Sequence, residues 1–387
     1  MNVIFISPNF PPRYGFFCAR LKSHGATVLG IGDTPGADVR AELAANLDDY
    51  VFVRDMHDRD AMIRAGGLLT FRHGRIDRID SLNEHWLDVE ADLRASFGVV
   101  GPGPEDRRRS RSKTRMKEIF RSVGAETPAG VAATTAAAVR DFVVRHGLPV
   151  LFKPDFGVGA QGAFKVSTME ELDGALQALA PGYVVEEFVV GTLISYDGLT
   201  DRAGEIVYEM STVVSEGVME IVQRQGPVHY YSVRAIPAAV AEPARRIVKA
   251  FGLSERFFHV EAFRTPSGGV KFLEINVRPP GGFGVDMMNF TADADLYDMW
   301  ARVVTQGFAG NDKPPEPKYY CAHIGRRHHI AYRRPAAAVV ADVRPLLVLH
   351  EPCPTAFATA MGDEVFMVRH AELSALQQVI DHIEQTA

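Results

Sequence analysis

A lysine stands directly before a glycine-rich stretch in the segment 149–162, which reads PVLFKPDFGVGAQG. The apolar run before Lys153 predicts a strand, and glycines let backbone N–H groups approach an anion closely. Because the lysine precedes the glycines, the segment is not a Walker A loop. We expect a phosphate-binding loop, and a plain hairpin with a surface lysine is the alternative. The glycines of this loop are Gly157, Gly159 and Gly162.

Two carboxylates, an amide and an arginine occur in a strand-like pattern further along the chain. Glu274, Asn276 and Arg278 stand at every second position, so they share one face of a strand. Glu261 precedes them across the turn 265–269, which folds it back towards the same face. Oxygen ligands of this kind suit Mg²⁺ bound with nucleotide phosphates, and a half-exposed hairpin is the alternative. The intervening residues, which we expect to pack inward, are Leu273, Ile275 and Val277.

The segment 183–191 reads YVVEEFVVG, an apolar strand that ends in two acids. Where a strand runs out into a linker, its backbone N–H and C=O groups can pair with the edge of a base such as adenine. A strand that simply ends in solvated acids explains the pattern equally well. The candidate residues of this linker are Glu186, Glu187, Phe188 and Val189.

Strand and helix patterns alternate through the first hundred residues, which predicts a parallel sheet covered by helices on both faces. No Gly-x-Gly-x-x-Gly motif follows the first strand, so a nicotinamide dinucleotide site has little support. The segment 313–318 predicts a stiff linker, and a final amphipathic helix is expected at 372–384. The strands that we expect in the N-terminal region lie at 3–7, 27–32, 50–53, 74–79 and 97–100.

The composition is that of a globular chain of 387 residues with a formal net charge of -6. This charge gives no general attraction to nucleic acid or to an anionic membrane. No stretch reaches the ~18 consecutive apolar residues of a membrane span. Three scattered cysteines predict neither a disulfide framework nor a structural zinc site. Because the N-terminus also lacks a signal-peptide pattern, we expect a cytoplasmic protein.

These segments occur in the order used by the ATP-grasp superfamily, which the chain resembles over about 1–310 and most strongly over 113–282. The resemblance implies that two lysines neutralise the phosphates of ATP: Lys113, in the run SKTRMK, and Lys153. It also implies that residues 186–189 read adenine. The implied magnesium ligands, for which Mn²⁺ is an alternative ion, are Glu261, Glu274 and Asn276.

The same resemblance assigns an arginine to the reaction and leaves the ribose contact open. Arg278 is implied to steady an acyl phosphate. The family often has an acid for the ribose hydroxyls at the position of Leu193, and this chain has none there. Asp197, on the same strand face, is the candidate that replaces it.

The implied fold class is mixed, α/β and α+β, with an ATP-grasp fold that follows a Rossmann-like α/β domain. The implied domains are an N-terminal domain at 1–105, an ATP-grasp domain at 106–312 and a β-rich C-terminal cap at 313–387. Within the ATP-grasp domain, the implied lid covers about 113–188 and the metal- and phosphate-binding part about 189–312.

Weaker patterns indicate where a substrate binds. Glu84 precedes an amphipathic helix, and an ordinary helix cap is the alternative. Arg224 could hold a carboxylate, although a packed β-segment explains it equally well. Gly281 and Gly282 follow the arginine of the metal strand and are further candidates. The run 323–329, rich in histidine and arginine, predicts a polar strand that lines a cleft rather than a metal site.

The implied function is that of an ATP-dependent, ADP-forming carboxylate–amine ligase. Such an enzyme activates a small carboxylic or amino acid as an acyl phosphate and forms an amide or peptide bond. Its partners are a small carboxylate and an amine, and relatives often form homodimers. A biotin-carboxylase-like or purine-pathway ligase is the alternative among enzymes. A nucleotide-binding regulator without turnover is the alternative outside enzymes.

Overall fold

The structure of the protein is a computed structural model that describes residues 1–157, 162–215, 225–308 and 314–387. Its N-terminal part is built on a parallel sheet, as the alternation of strands and helices predicts. The strands are β1 (Asn2–Ile6), β2 (Thr27–Gly32), β3 (Asp49–Phe52) and β4 (Arg78–Asp80), in the order β3-β2-β1-β4. The helices are α1 (Gly15–Ser23), α2 (Ala41–Ala44), α3 (Arg59–His73) and α4 (Leu87–Phe97).

The strand expected at 97–100 is wrong, because Phe97 is the last residue of helix α4. The helix ends at Gly98, whose φ of 63° is a left-handed conformation that glycine adopts readily. The ring of Phe97 packs against Gly66 of α3, where a Cβ atom would lie 2.6 Å from it. Packing between α3 and α4 therefore outweighs the strand propensity of the run FGVV.

The following segment forms four helices and a small antiparallel sheet in the order β5-β8-β6-β7. Helices α7 and α8 cover one face of this sheet, where Phe142 and Leu172 are buried against Phe152. The elements of this part are α5 (Pro104–Arg111), α6 (Lys113–Ser122), β5 (Gly130–Ala132), α7 (Ala136–His146), β6 (Val150–Pro154), β7 (Phe164–Val166), α8 (Met169–Gln177) and β8 (Tyr183–Glu187).

An eight-stranded antiparallel sheet carries the rest, in the order β13-β12-β9-β10-β11-β14-β16-β15. The strands are β9 (Thr192–Thr200), β10 (Ile206–Val214), β11 (Val228–Val233), β12 (Phe257–Arg264), β13 (Val270–Asn276), β14 (Tyr320–Arg326), β15 (Leu347–Pro352) and β16 (Glu364–His370). The C-terminal segment thus extends the sheet that carries the metal-ligand candidates. The domain limits drawn from the sequence stay a prediction.

Helices cover both faces of this sheet. Ile247 of helix α9 (Ala238–Phe251) packs in one core with Phe258 and Phe272. On the other side, Trp300 packs edge-on against Phe17 of the N-terminal part. These helices are α9 (Ala238–Phe251), α10 (Gly284–Ala292), α11 (Leu296–Gln306), α12 (Ala336–Asp342), α13 (Thr355–Met361) and α14 (Leu373–Glu384). No helix among the described residues combines the length and apolar character needed to cross a membrane.

Candidate active site

Asp155 holds Lys113 beside the end of strand β6. Its carboxylate accepts hydrogen bonds from the backbone N–H of Thr114 (2.8 Å) and from the hydroxyl of Ser112 (2.7 Å) at the start of α6. An acid at this end of a helix also gains from the helix dipole. Lys113 is buried, and its ammonium group donates to the carbonyl of Gly157 at 3.2 Å. The first predicted nucleotide lysine therefore reaches the glycine-rich loop.

Two buried lysines share the carboxylate of Glu186. The ammonium of Lys153 lies 2.8 Å from one oxygen, and Lys117 contacts the other. Burial, followed by the charge of Lys153, lowers the pKa of Lys117 to about 7. Burial acts in the same direction on Lys153, but the charge of Glu186, its hydrogen bond to Lys153 and the charge of Glu274 together outweigh burial and raise the pKa of Lys153. Sequence reasoning missed Lys117, although its spacing of four residues from Lys113 was a usable signal.

Glu261 and Glu274 are paired directly across strands β12 and β13. Burial, followed by the charge of Glu261, raises the pKa of Glu274, while Lys113 and Lys153 act against this shift. The amide of Asn276 donates to Glu274 at 3.3 Å. Two facing carboxylates and an amide fit a divalent cation, because the cation would remove the repulsion between the acids. The structure thus brings the predicted metal ligands together.

The predicted inward packing of Leu273 is wrong, because the β12–β13 pair contains a register shift. At this shift Leu273 is not paired with any residue of β12, and its side chain is only half-buried. Phe272 takes the inward position together with Ile275 and Val277. A bulge inserts one extra residue and so reverses which side chains face the core. Among the described residues, no group of three or more His, Cys, Asp or Glu could hold a metal.

Asp197 faces other side chains rather than an open ribose site. It is fully buried on β9, where it accepts from the hydroxyl of Ser195 and contacts Nδ1 of His259. Nε2 of His259 lies 3.0 Å from Glu261. Burial opposes a charged imidazole, but the two carboxylates outweigh it and raise the pKa of His259 to about 10. These contacts argue against the ribose role for Asp197. They place it behind the metal-ligand candidate Glu261, with the side chain of His259 between the two carboxylates.

Glu84 of the N-terminal part reaches Arg278. One carboxylate oxygen lies 3.4 Å from Nε of Arg278, and the other lies 3.2 Å from Arg107. The helix cap at this point comes from Asn83, whose side chain accepts from the backbone N–H of His85 at 3.1 Å. The carboxylate of Glu84 is therefore not needed as a cap and lies against the predicted reaction arginine instead.

The predicted adenine linker is partly engaged within the protein. Glu187 points away from the lysine pair and contacts Lys271 of β13. The backbone N–H of Phe188 donates to the carbonyl of Pro149 at 3.2 Å. The side chain of Glu187 and the backbone N–H of Phe188 are therefore engaged within the protein, and the assignment of the adenine contact to residues 186–189 stays a prediction.

The remaining sequence-predicted residues are glycines and one arginine. Gly157 and Gly162 lie at the two ends of the loop between β6 and β7, and Tyr183 donates its hydroxyl to the carbonyl of Gly162 at 3.2 Å. Gly281 and Gly282 lie between Arg278 and helix α10. Gly159 and Arg224 are outside the described residues.

Solved structures with the same architecture include an L-amino acid ligase from Bacillus licheniformis, with a TM-score of 0.74 and 15% identity over 99% of this chain and 96% of that one. N5-carboxyaminoimidazole synthetase from Staphylococcus aureus has a TM-score of 0.72 and 13% identity over 99% of this chain and 97% of that one. At these identities the likeness establishes the fold alone.

Sequence comparison finds matches that cover only part of this chain. The L-arginine-specific L-amino acid ligase of Bacillus subtilis is 24% identical over 267 residues, which are 64% of this chain and 62% of that protein. The chain spans less than two thirds of the length of the curated relatives that it matches. No family model matches the sequence. The chain therefore has the ATP-grasp fold and resembles the carboxylate–amine ligases that are built on it.

Proposed function

We propose that the protein is an ATP- and Mg²⁺-dependent carboxylate–amine ligase that releases ADP and joins a small acid to an amine. The observation that carries this proposal is the proximity of Lys113 and Lys153 to the paired carboxylates Glu261 and Glu274. The two lysines lie close enough to Glu274 for their charges to act on its pKa. Cations for phosphate oxygens and oxygen ligands for a metal thus meet where a phosphoryl group would be transferred.

The nucleotide side of the site depends on positive charge that is already in place. The buried Lys153 is oriented by Glu186, and Lys113 is oriented towards the glycine loop through Asp155 at the start of its helix. Because these ammonium groups are positioned before ATP arrives, little reorganisation is needed when charge moves from the γ-phosphate to ADP. The backbone around Val189 would take the edge of adenine.

The metal would be held by Glu261, Glu274 and Asn276. When bound, the metal would supply positive charge that offsets the repulsion between the nucleotide phosphates and the attacking carboxylate. The chain prepares this site by holding Glu261 through its hydrogen bond to His259 (3.0 Å) and Glu274 through Asn276 (3.3 Å). Mn²⁺ satisfies the same oxygen donors.

Arg278 would bind the acid and the species formed from it. A carboxylate oxygen of the substrate attacks the γ-phosphorus, the bond to the β–γ bridging oxygen breaks, and ADP leaves. The amine then attacks the acyl carbon, inorganic phosphate leaves, and the amine nitrogen loses its extra proton. Glu84 acts as a positioning residue, since its contact with Nε orients the guanidinium towards the cleft.

The test is ADP release from ATP and Mg²⁺ with amino acids supplied singly and in pairs, with products identified by mass spectrometry. We expect a condensed product with some pairs. With a single acid and hydroxylamine, we expect a hydroxamate formed from the acyl phosphate. Lys153→Ala should abolish both signals, whereas Lys22→Ala, at an exposed pair with Asp48, should leave them unchanged.

Two results would contradict the proposal. ATP binding without ADP release for any acid or amine would favour a nucleotide-binding regulator. ADP release that survives Lys153→Ala at the wild-type rate would show that another site holds the nucleotide.

A further inference from the structure

A cavity of about 160 Å³ opens beside the metal-ligand candidate Glu261. It lies over strands β9, β10 and β11, between the loop after Arg278 and the end of helix α13. The face of the sheet that carries the metal-ligand candidates therefore continues into a pocket that is lined by Asp197 and Glu261 but not by Lys113 or Lys153. Among the described residues, its apolar lining includes Leu193, Met210, Val228, Met287 and Met361.

Met361 reaches this cavity from the C-terminal segment and is held there on two sides. A Cβ atom on Gly282 would lie 2.2 Å from its sulfur, so the thioether occupies the space that a side chain at 282 would fill. A Cβ atom on Gly325 would lie 1.9 Å from its carbonyl oxygen. The same carbonyl lies 3.1 Å from Nε2 of the buried His323. The position of Met361 is therefore set by its surroundings rather than by chance exposure.

One polar atom in the wall of the cavity has no partner. The hydroxyl of Tyr230 is buried and makes no hydrogen bond among the described residues, while the ring stacks on His323 at 4.5 Å. A buried hydroxyl without a partner is costly, so such an atom marks a place where a ligand group can bind. Ser195 and Thr212, by contrast, are hydrogen-bonded to each other at 2.6 Å.

The size and lining of the cavity indicate what it can hold. A cavity of ~150 Å³ lined by apolar side chains accepts a molecule of the size of benzene. The wall formed by Met210, Met287 and Met361 is apolar and adaptable in shape. Glu261 lines the cavity, whereas Lys113, Lys153 and the linker 186–189, which would hold the nucleotide, do not, so we assign a group in the cavity to the acid.

We propose that this cavity receives the side chain of the acid substrate, that the acid is an amino acid with an apolar side chain no larger than one ring, and that Met361 sets this size limit. Tyr230 hydrogen-bonds the amino or carboxylate group of the bound acid, so its hydroxyl gains a partner although the side chain in the cavity is apolar. The inference rests on the proposed ligase function and adds its substrate class.

The experiment compares wild type with Met361→Ala, and Met361→Leu is the matched control because it keeps most of the volume. Hydroxamate formation from ATP, Mg²⁺ and hydroxylamine is measured with alanine, leucine, phenylalanine and tryptophan, so no amine substrate is needed. We expect Met361→Ala to raise kcat/KM for tryptophan relative to alanine at least about tenfold, since one methylene of pocket space changes specificity by about 10–200-fold. Met361→Leu should keep the wild-type order.

Tyr230→Phe provides a second variant that keeps the ring stack. We expect it to raise KM for the preferred acid with little change in kcat, which a role in packing alone would not produce. Identical size profiles for wild type and Met361→Ala, with both proteins folded and active, would overturn the pocket assignment and leave the ligase standing. Absence of hydroxamate with wild type for every acid would overturn the ligase proposal itself.

Discussion

Two buried clusters of charge are built in opposite ways. The arginine cluster joins Asp80 and Glu90 of the N-terminal part to Arg78, Arg94 and Arg256. Its contacts include Arg94 to Asp80 at 2.8 Å and Arg256 to Glu90 at 2.6 Å. Asp80 contacts all three arginines and Glu90 contacts two of them. Burial acts against the ionised form of Glu90, but the arginines and Ser81 together outweigh it and lower the pKa of Glu90 to about 2.

In the active-site cluster, like charges lie together. Lys117 and Lys153 share the single carboxylate of Glu186, and Glu261 faces Glu274 across two strands. The pKa of Lys117 is lowered to about 7 and that of Glu274 is raised, with burial the largest cause in both. Both shifts move the groups towards their neutral forms.

The comparison distinguishes charged side chains that stabilise the fold from charged side chains that we expect to bind a ligand. In the arginine cluster each ion contacts an opposite charge, so the cluster stabilises the contact between the two parts of the chain. In the active-site cluster the compensating charges are missing, which is typical of functional sites. Phosphates would satisfy the lysines, and a divalent cation would satisfy the acids.

The largest expected effect is that of Glu274→Gln on activity. We expect hydroxamate formation to fall about 10²–10³-fold, because one of the charged metal ligands is lost. The free energy of unfolding should stay the same or rise, because the variant removes a repulsion with Glu261. A kinetic assay and urea unfolding check the two parts. A large loss of stability would show that Glu274 belongs to the structural kind of cluster.

Glu90→Gln should have the opposite pattern. We expect the free energy of unfolding to fall by about 3–5 kcal/mol, because Arg256 and Arg94 lose a buried partner. The activity of the folded fraction should remain that of wild type, since Glu90 is remote from the cleft residues. Urea unfolding with an activity assay at low denaturant measures both. Unchanged stability would contradict the structural role of the arginine cluster.

Acid should weaken the arginine cluster over a defined pH range. Because the pKa of Glu90 is lowered from 4.5 to about 2 on folding, its contribution is complete above about pH 4.5. It should be lost as the pH falls towards 2. The free energy of unfolding, measured between pH 5 and pH 2.5, should therefore decline less steeply in Glu90→Gln than in wild type. Equal slopes would mean that other acids govern the decline.

The smallest effect is expected at the contact between Glu84 and Arg278. Glu84→Ala should lower kcat/KM for the acid about tenfold, the cost of about one hydrogen bond to a charged group. Glu84→Gln should recover part of this loss, because its amide oxygen can still accept from Arg278. Steady-state kinetics over a range of acid concentrations provides the measurement. Equal losses in both variants would assign the effect to charge rather than to positioning.

Much of the fold and of the site could be predicted from local patterns. The strand at 27–32 has the predicted limits, and the final helix, predicted at 372–384, is observed at Leu373–Glu384. Glu261, Glu274 and Asn276 share one face, because a strand repeats every two residues. The strand predicted at 97–100 from residue propensities is wrong, because Phe97 belongs to helix α4 and packs against Gly66 of α3.

Residue types and their spacing along the chain were enough to predict the fold class, the lysine before its glycine loop and the strand face that carries the metal-ligand candidates. The tertiary structure alone decided three other things. It brought Glu84 to Arg278 across 194 positions, turned Asp197 towards His259 and inserted Met361 beside Gly282. Such contacts join residues that are distant in sequence, and they depend on how sheets and helices pack rather than on any local repeat.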